Sequence, residues 1–149
     1  MRRKLVLLVA EDNPRDLQLF HLALQRGGTV ADIHAVTDGE QAIEYLQGAN
    51  GYHNRSQHPF PDLLVLDLKM PGMDGLQVLR WLRDHAECNR LPRVMLSGSG
   101  LDKDVQEAYR LGVNSYFAKP TNFKEFQDLL RLVIDYWTNS RRPTLEHCQ

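Results

Sequence analysis

The sequence predicts an α/β protein built on a doubly wound, five-stranded parallel sheet. Short apolar runs recur along the chain, and each is followed by a segment with helical spacing. The runs are nearly continuous in apolar residues, as strands covered on both faces are. Five alternating βα units in 149 residues wind into one sheet with helices on both sides.

The elements follow in order. Leu5–Ala10 is the first strand, and Asn13-Pro14 opens a helix with Leu17, Phe20 and Leu24 on one face, stopped by Gly27-Gly28. Proline suits the first helical turn, and Asn13 or Asp12 can cap it. Residues 33–36 form a short second strand, and Thr37-Asp38-Gly39 turns into a helix with Ala42, Ile43 and Leu46 inward. Residues 48–61 lack periodicity and read as a long loop. Leu63–Leu66 is the third, central strand, and Pro71 to Gly75 is turn chemistry before a helix carrying Leu76, Leu79 and Leu82. Residues 93–96 are the fourth strand, Asp102 caps a helix over 102–111, and Gly112 closes it. Ser115–Ala118 is the fifth strand. Asn122 caps a last helix with the stripe Phe123, Phe126, Leu130, Val133 and Trp137.

Composition narrows the function classes. The length predicts one domain over residues 1–138, with 139–149 as a short polar tail and no output domain. A net charge of −1 provides no basic footprint for nucleic acid. No stretch is long enough to span a membrane. Arg2-Arg3-Lys4 before Leu5–Ala10 is not a secretory leader, because the run is short and ends in Glu11-Asp12. Cys88 and Cys148 form no motif, so the expectation is a cytoplasmic protein with reduced thiols.

Four strands end in polar residues that one phosphoryl-transfer site could use: Glu11-Asp12, Asp67, Ser97 and Lys119. Parallel strands bring those ends to one edge, where ligands of such sheets bind. Asp67 reads as a nucleophile able to hold a phosphoryl group as an acyl phosphate. Mg²⁺ prefers oxygen donors and takes few carboxylates; Asp12 and Asp67 supply these directly, Glu11 through water, and the backbone carbonyl of Lys69 completes the share. Lys119 is the counter-ion for phosphoryl oxygens, and Ser97 offers them a hydroxyl. Pro120 admits a cis Lys119-Pro120 bond that would fix the amine's approach. The plainer reading of Glu11-Asp12 is a helix cap with favourable dipole charge; the acid at a second strand end argues against it.

Other features call for no special chemistry. Ser97-Gly98-Ser99-Gly100 lacks the Gly-Lys-Ser/Thr ending of a nucleotide loop. His21, His34, His53, His58, His85 and His147 have no zinc spacing. Trp81 and Trp137 read as packing residues, and Arg141-Arg142 as a solvated tail.

Taken together, Val9-Ala10-Glu11-Asp12-Asn13-Pro14, Leu63 through Asp67-Leu68-Lys69-Met70-Pro71-Gly72-Met73-Asp74-Gly75, Met95-Leu96-Ser97-Gly98-Ser99 and Ser115-Tyr116-Phe117-Ala118-Lys119-Pro120 resemble the receiver domain of two-component response regulators, to about Trp137. The resemblance implies a flavodoxin-like receiver fold with strand order 2-1-3-4-5. It also implies Asp67 as phosphoacceptor, Glu11 and Asp12 as the acidic metal pair, Ser97 as the switch hydroxyl, Lys119 as the phosphate-binding lysine and Tyr116 as the switch aromatic. The donor would be a histidine kinase or a histidine phosphotransfer domain. Phosphorylation would alter the face made by the fourth helix, fifth strand and fifth helix, which is also a possible homodimer surface. The Glu-Asp-Asn-Pro-Arg-Asp start and the long loop before the third strand look like stand-alone regulators paired with bacterial phytochrome-type kinases. Such a protein catalyses only its own phosphorylation and dephosphorylation. Lys69 and Ser99, where the family tunes hydrolysis, are poor water-orienting groups, so slow self-dephosphorylation is expected. Two alternatives are a phosphatase that passes through an aspartyl phosphate, which would want an acid where Lys69 stands, and a binding module that no longer takes phosphate.

Overall fold

The computed structural model describes residues 4–145 and Cys148. The Arg2-Arg3 start and His147 lie outside the described residues. Five strands, β1 (Leu5–Ala10), β2 (Ala31–Val36), β3 (Leu63–Leu66), β4 (Arg93–Ser97) and β5 (Ser115–Ala118), form one parallel sheet in the order β2-β1-β3-β4-β5. The helices are α1 (Pro14–Gly27), α2 (Gly39–Gln47), α3 (Gly75–Asp84), α4 (Asp102–Arg110) and α5 (Phe123–Asn139), with a single 3-10 turn at Cys88–Arg90.

Successive strand residues point to opposite faces, and the core divides accordingly. Leu5, Leu7, Val9, Leu63, Val65, Val94 and Leu96 pack with Phe20 and Leu24 of α1 and Phe126, Leu130, Val133 and Ile134 of α5. Leu8, Ala10, Leu64, Leu66 and Met95 pack on the other face with Leu46, Val78, Leu79, Leu82 and Ala108 of α2, α3 and α4. Every residue of β1, β3 and β4 is buried, which is why β1 and β3 read as unbroken apolar runs and β4 as an apolar core between Arg93 and Ser97.

Several boundaries differ from the sequence reading for physical reasons. The second strand starts at Ala31, because an edge strand with mostly half-exposed positions needs no apolar run. Asp102 does not cap α4: Leu101 holds the cap position without a side-chain bond. Ser99 organises that turn instead, its hydroxyl donating to Asp104 Oδ2 at 2.5 Å and accepting from Leu101 N at 3.4 Å. Asn13, and not Asp12, caps α1, accepting from Arg15 N and Asp16 N. The Lys119-Pro120 bond is trans, since no cis peptide occurs among the described residues.

The long loop has its own order. Arg55 donates to the carbonyls of Tyr45 and Leu46 at 2.8 and 3.0 Å, closing the end of α2. Tyr45, 2% exposed, donates its hydroxyl to Pro59 O at 2.9 Å beneath the rings of Tyr52 and His58.

The tail also departs from expectation. Arg142 is not solvated: it donates to the carbonyls of Trp137 and Ser140 and lies 3.9 Å from Asp62. Leu145 packs against the α2–α3 side of the core, and Cys148 N donates to Leu46 O at 3.0 Å. This return path brings Cys148 beside Cys88, Cα to Cα 5.3 Å, a separation that a disulfide spans. A separation of 60 residues hides the pairing from the sequence. Oxidised to a disulfide, the pair should add about 2–4 kcal/mol of stability, which reduction or Cys148→Ser removes. Urea unfolding with and without reductant checks this: the wild-type midpoint falls on reduction and that of C148S does not move.

Candidate functional site

The strand ends deliver the site. Ladder-like bonds continue one residue beyond the strands: Glu11 N donates to Val36 O at 3.0 Å, Asp67 N to Ala10 O at 3.1 Å and Lys119 N to Ser97 O at 2.7 Å. The three functional side chains therefore leave a fixed backbone. On the other side of Asp67, Gly75 at the start of α3 donates to Leu68 O at 2.8 Å. A Cβ at Gly75 would stand 2.3 Å from the Asp67 carbonyl oxygen, so only glycine lets α3 approach this closely. Gly75→Ala should cost about 1–3 kcal/mol through that overlap, seen as a lower unfolding midpoint in urea.

Lys119 is the centre of the arrangement. Its ammonium lies 2.5 Å from Glu11 Oε1, 3.0 Å from Asp67 Oδ2 and 3.1 Å from Asp16 Oδ2. The sequence reading did not single out Asp16. It projects from the first turn of α1 rather than from a strand end, and its only sequence signal is an acid four residues beyond Asp12 at a helix start. Glu11, Asp12 and Asp67 each place a carboxylate oxygen within 4.8 Å of the others, from buried through half-buried to exposed positions. Three carboxylates without thiol or imidazole are a hard donor set that fits a divalent cation such as Mg²⁺ or Mn²⁺.

Ser97 is 1% exposed, and its hydroxyl oxygen accepts from Ser99 N at 3.2 Å. Tyr116 is half-buried and donates its hydroxyl to Ser99 O at 2.7 Å, tying β5 to the loop after β4. An open groove of about 520 Å³ runs between Asp67, Lys69, Ser97 and Lys119, and nothing lies within 4 Å of a Cβ built at Gly98. Asp67, Lys69, Ser97 and Lys119 thus border one groove, Asp16 joins them there, and Glu11 and Asp12 cluster with Asp67.

Glu11 carries the electrostatic strain. Burial is the main force on it and pushes its carboxyl up to about 7; the Lys119 hydrogen bond and charge pull the other way, and neighbouring Asp67 adds to the rise. Burial works against the Lys119 charge too, but hydrogen bonds and charge from Glu11 and Asp67 outweigh it and hold the amine above its ordinary range. Because the folded state favours neutral Glu11, the stability this brings is full below about 4.5 and is lost as pH rises through about 7. In metal-free protein, Glu11→Gln should therefore raise stability at pH 8 by about 1–3 kcal/mol and change it little at pH 4.5. Urea titrations at the two pH values in chelator read this directly.

Arg93, unremarkable in the sequence, is 2% exposed and donates to Cys88 O at 2.7 Å and Gly112 O at 3.3 Å. Burial lowers its guanidinium to about 10. It pins the 3-10 turn and the end of α4 at the opposite end of β4 from Ser97, so it supports the fold and not the site.

A five-stranded sheet of this order, with three acids, a lysine and a hydroxyl at its carboxyl edge, defines a phosphoryl-accepting signalling domain. Residues 7–131 match the response regulator receiver domain, and the chain belongs to that family. The response regulator Rcp1 of Synechocystis is 31% identical over 132 residues, which is 89% of this chain and 88% of that protein. The fold superposes on the response regulator RPA3017 in red light signalling of R. palustris with a TM-score of 0.89 at 35% identity, covering 95% and 99% of the two chains. It superposes on the phosphorylated cyanobacterial phytochrome response regulator RcpA with a TM-score of 0.86 at 29% identity, covering 95% and 100%. The Mn²⁺-bound form of Rcp1 gives a TM-score of 0.82 at 30% identity, covering 93% and 99%. The chain is a phosphoryl-accepting response regulator of two-component signalling. No helix among the described residues is long and apolar enough to cross a membrane.

Proposed function

We propose that Asp67 is the phosphoacceptor, that Glu11, Asp12, Asp67 and the Lys69 backbone carbonyl hold Mg²⁺, and that Lys119 and Ser97 receive the phosphoryl oxygens. The observation that carries this reading is the Lys119 ammonium, 3.0 Å from the Asp67 carboxylate beside an open groove. When bound, the cation neutralises charge between the acceptor and the phosphoryl oxygens. A carboxylate oxygen of Asp67 attacks phosphorus, the P–N bond to a donor imidazole breaks, and its electron pair leaves with the nitrogen. Lys119 follows the charge from the carboxylate onto the new phosphoryl group. Ser97 turns its hydroxyl from the Ser99 loop to a phosphoryl oxygen, and Tyr116, bonded to that same loop, responds. The α4–β5–α5 face then changes for a partner or for a second copy of the chain.

The donor is a histidine kinase or a histidine phosphotransfer domain in the cytoplasm. Likeness to RcpA supports a kinase of the phytochrome type. The chain turns over no outside phosphate ester: the residue two beyond Asp67 is Lys69, so no carboxylic acid is placed there to protonate a leaving group. Hydrolysis of the adduct is slow, because the Ser99 hydroxyl is committed to Asp104 at 2.5 Å and Lys69 offers no acceptor to a water.

Acetyl phosphate with Mg²⁺ should add one phosphoryl group to the wild type and none to Asp67→Asn, read by intact mass. Chelator should abolish the addition. After the donor is removed, the adduct should persist for minutes or longer. Equal labelling of D67N contradicts the assignment of the acceptor, and a half-life of seconds contradicts the account of Lys69 and Ser99.

A further inference from the structure

We propose that Asp16 is a positioning residue that acts through Lys119, occupying the ammonium until a phosphoryl oxygen displaces it and so restraining transfer to Asp67. The inference rests on Asp67 being the acceptor. An ammonium has three N–H donors, and here three carboxylates lie within reach of it: Glu11, Asp67 and Asp16 at 2.5, 3.0 and 3.1 Å. A phosphoryl oxygen arriving at Lys119 must displace one of them. Glu11 and Asp67 are 7% and 12% exposed, so neither can exchange the amine for bulk water. Asp16 is 37% exposed and can turn outward at little cost. It is also the only one of the three outside the acidic cluster of Glu11, Asp12 and Asp67.

Two further features fix this role. Asp16 sits in the first turn of α1, where its backbone N–H is held by the Asn13 cap at 3.3 Å, so the carboxylate's origin is set by the helix. Asp16 also borders the open groove with Asp67, Ser97 and Lys119. Its charge therefore faces the path of the incoming phosphoryl anion. While it binds Lys119 it competes with the incoming phosphoryl oxygen for the amine, and its charge makes the groove less attractive to that anion.

The test is Asp16→Asn, which keeps shape and removes charge, with Asp16→Glu as the conservative control. With acetyl phosphate and Mg²⁺, D16N should be phosphorylated about 3- to 10-fold faster than wild type at low salt, the size expected for one screened charge a few ångströms away. Raising salt should shrink the difference, because only an electrostatic role is screened. D16N should also keep its phosphoryl group longer, with Lys119 no longer shared, and D16E should behave as wild type. In metal-free protein, the stability losses of D16N and Lys119→Gln should be less than additive, since they break one contact. A D16N rate equal to or below wild type, or a rate gain independent of salt, overturns the inference. If the wild type itself takes no phosphoryl group, the acceptor assignment fails and this inference falls with it; if the wild type is labelled and D16N is indifferent, only this inference fails.

Discussion

Lys119 brings one positive charge to a place where the fold has already gathered carboxylates from separate elements. Glu11 arrives at the end of β1, Asp67 at the end of β3, and Asp16 on the first turn of α1. Glu11 is nearly buried, so its charge is tolerable only beside a cation. Burial still wins in part, which is why its carboxyl titrates near neutrality. The edge of the sheet is thus held together by the same group that we propose leaves its partners for a phosphoryl oxygen. A site balanced in this way is ready to exchange one cationic partner for another.

The sheet topology makes that gathering unavoidable. β1 and β3 are neighbours, and Ala10 pairs with Leu66, so the next residue on each strand, Glu11 and Asp67, comes out level. β4 and β5 are neighbours, and Ser97 pairs with Ala118, which sets Lys119 one step beyond the hydroxyl. Each polar residue follows an apolar strand that both core clusters need, so the site's geometry is underwritten by packing. Gly75 adds the last restraint by letting α3 lie against the Asp67 backbone. The proposed function then follows from charge: an acid as acceptor, a cation site of oxygen donors, and an amine and a hydroxyl to take the transferred group.

Much of this is legible in the sequence. β1 and β3 fall on the residues where the apolar runs stop and start, because central strands buried on both faces leave no room for polar interruptions, and β5, a half-exposed edge strand, also keeps its expected bounds. Glu11, Asp67, Ser97 and Lys119 stood out because they end such runs. What escaped was carried by contacts distant in sequence. Asp16 meets Lys119 across 103 residues, and Cys148 meets Cys88 across 60. Arg93 lies inside a strand pattern, where nothing local says that its guanidinium will turn down to carbonyls of a turn and a helix end. Arg55 lies in the stretch that reads only as loop, and its value lies in three-dimensional reach to the end carbonyls of α2. Periodicity reports which face of an element is buried; it does not report which polar groups will need a partner.

Without metal, Lys119 supplies the positive charge among the carboxylates. The most direct measurement is the unfolding free energy of Lys119→Met and wild type as Mg²⁺ is titrated from chelator to saturation. The predicted result is a large deficit for K119M without metal that narrows as Mg²⁺ rises, with tighter Mg²⁺ binding in the variant because no amine competes for Glu11. A K119M protein as stable as wild type in chelator, or a deficit that Mg²⁺ leaves unchanged, would contradict it.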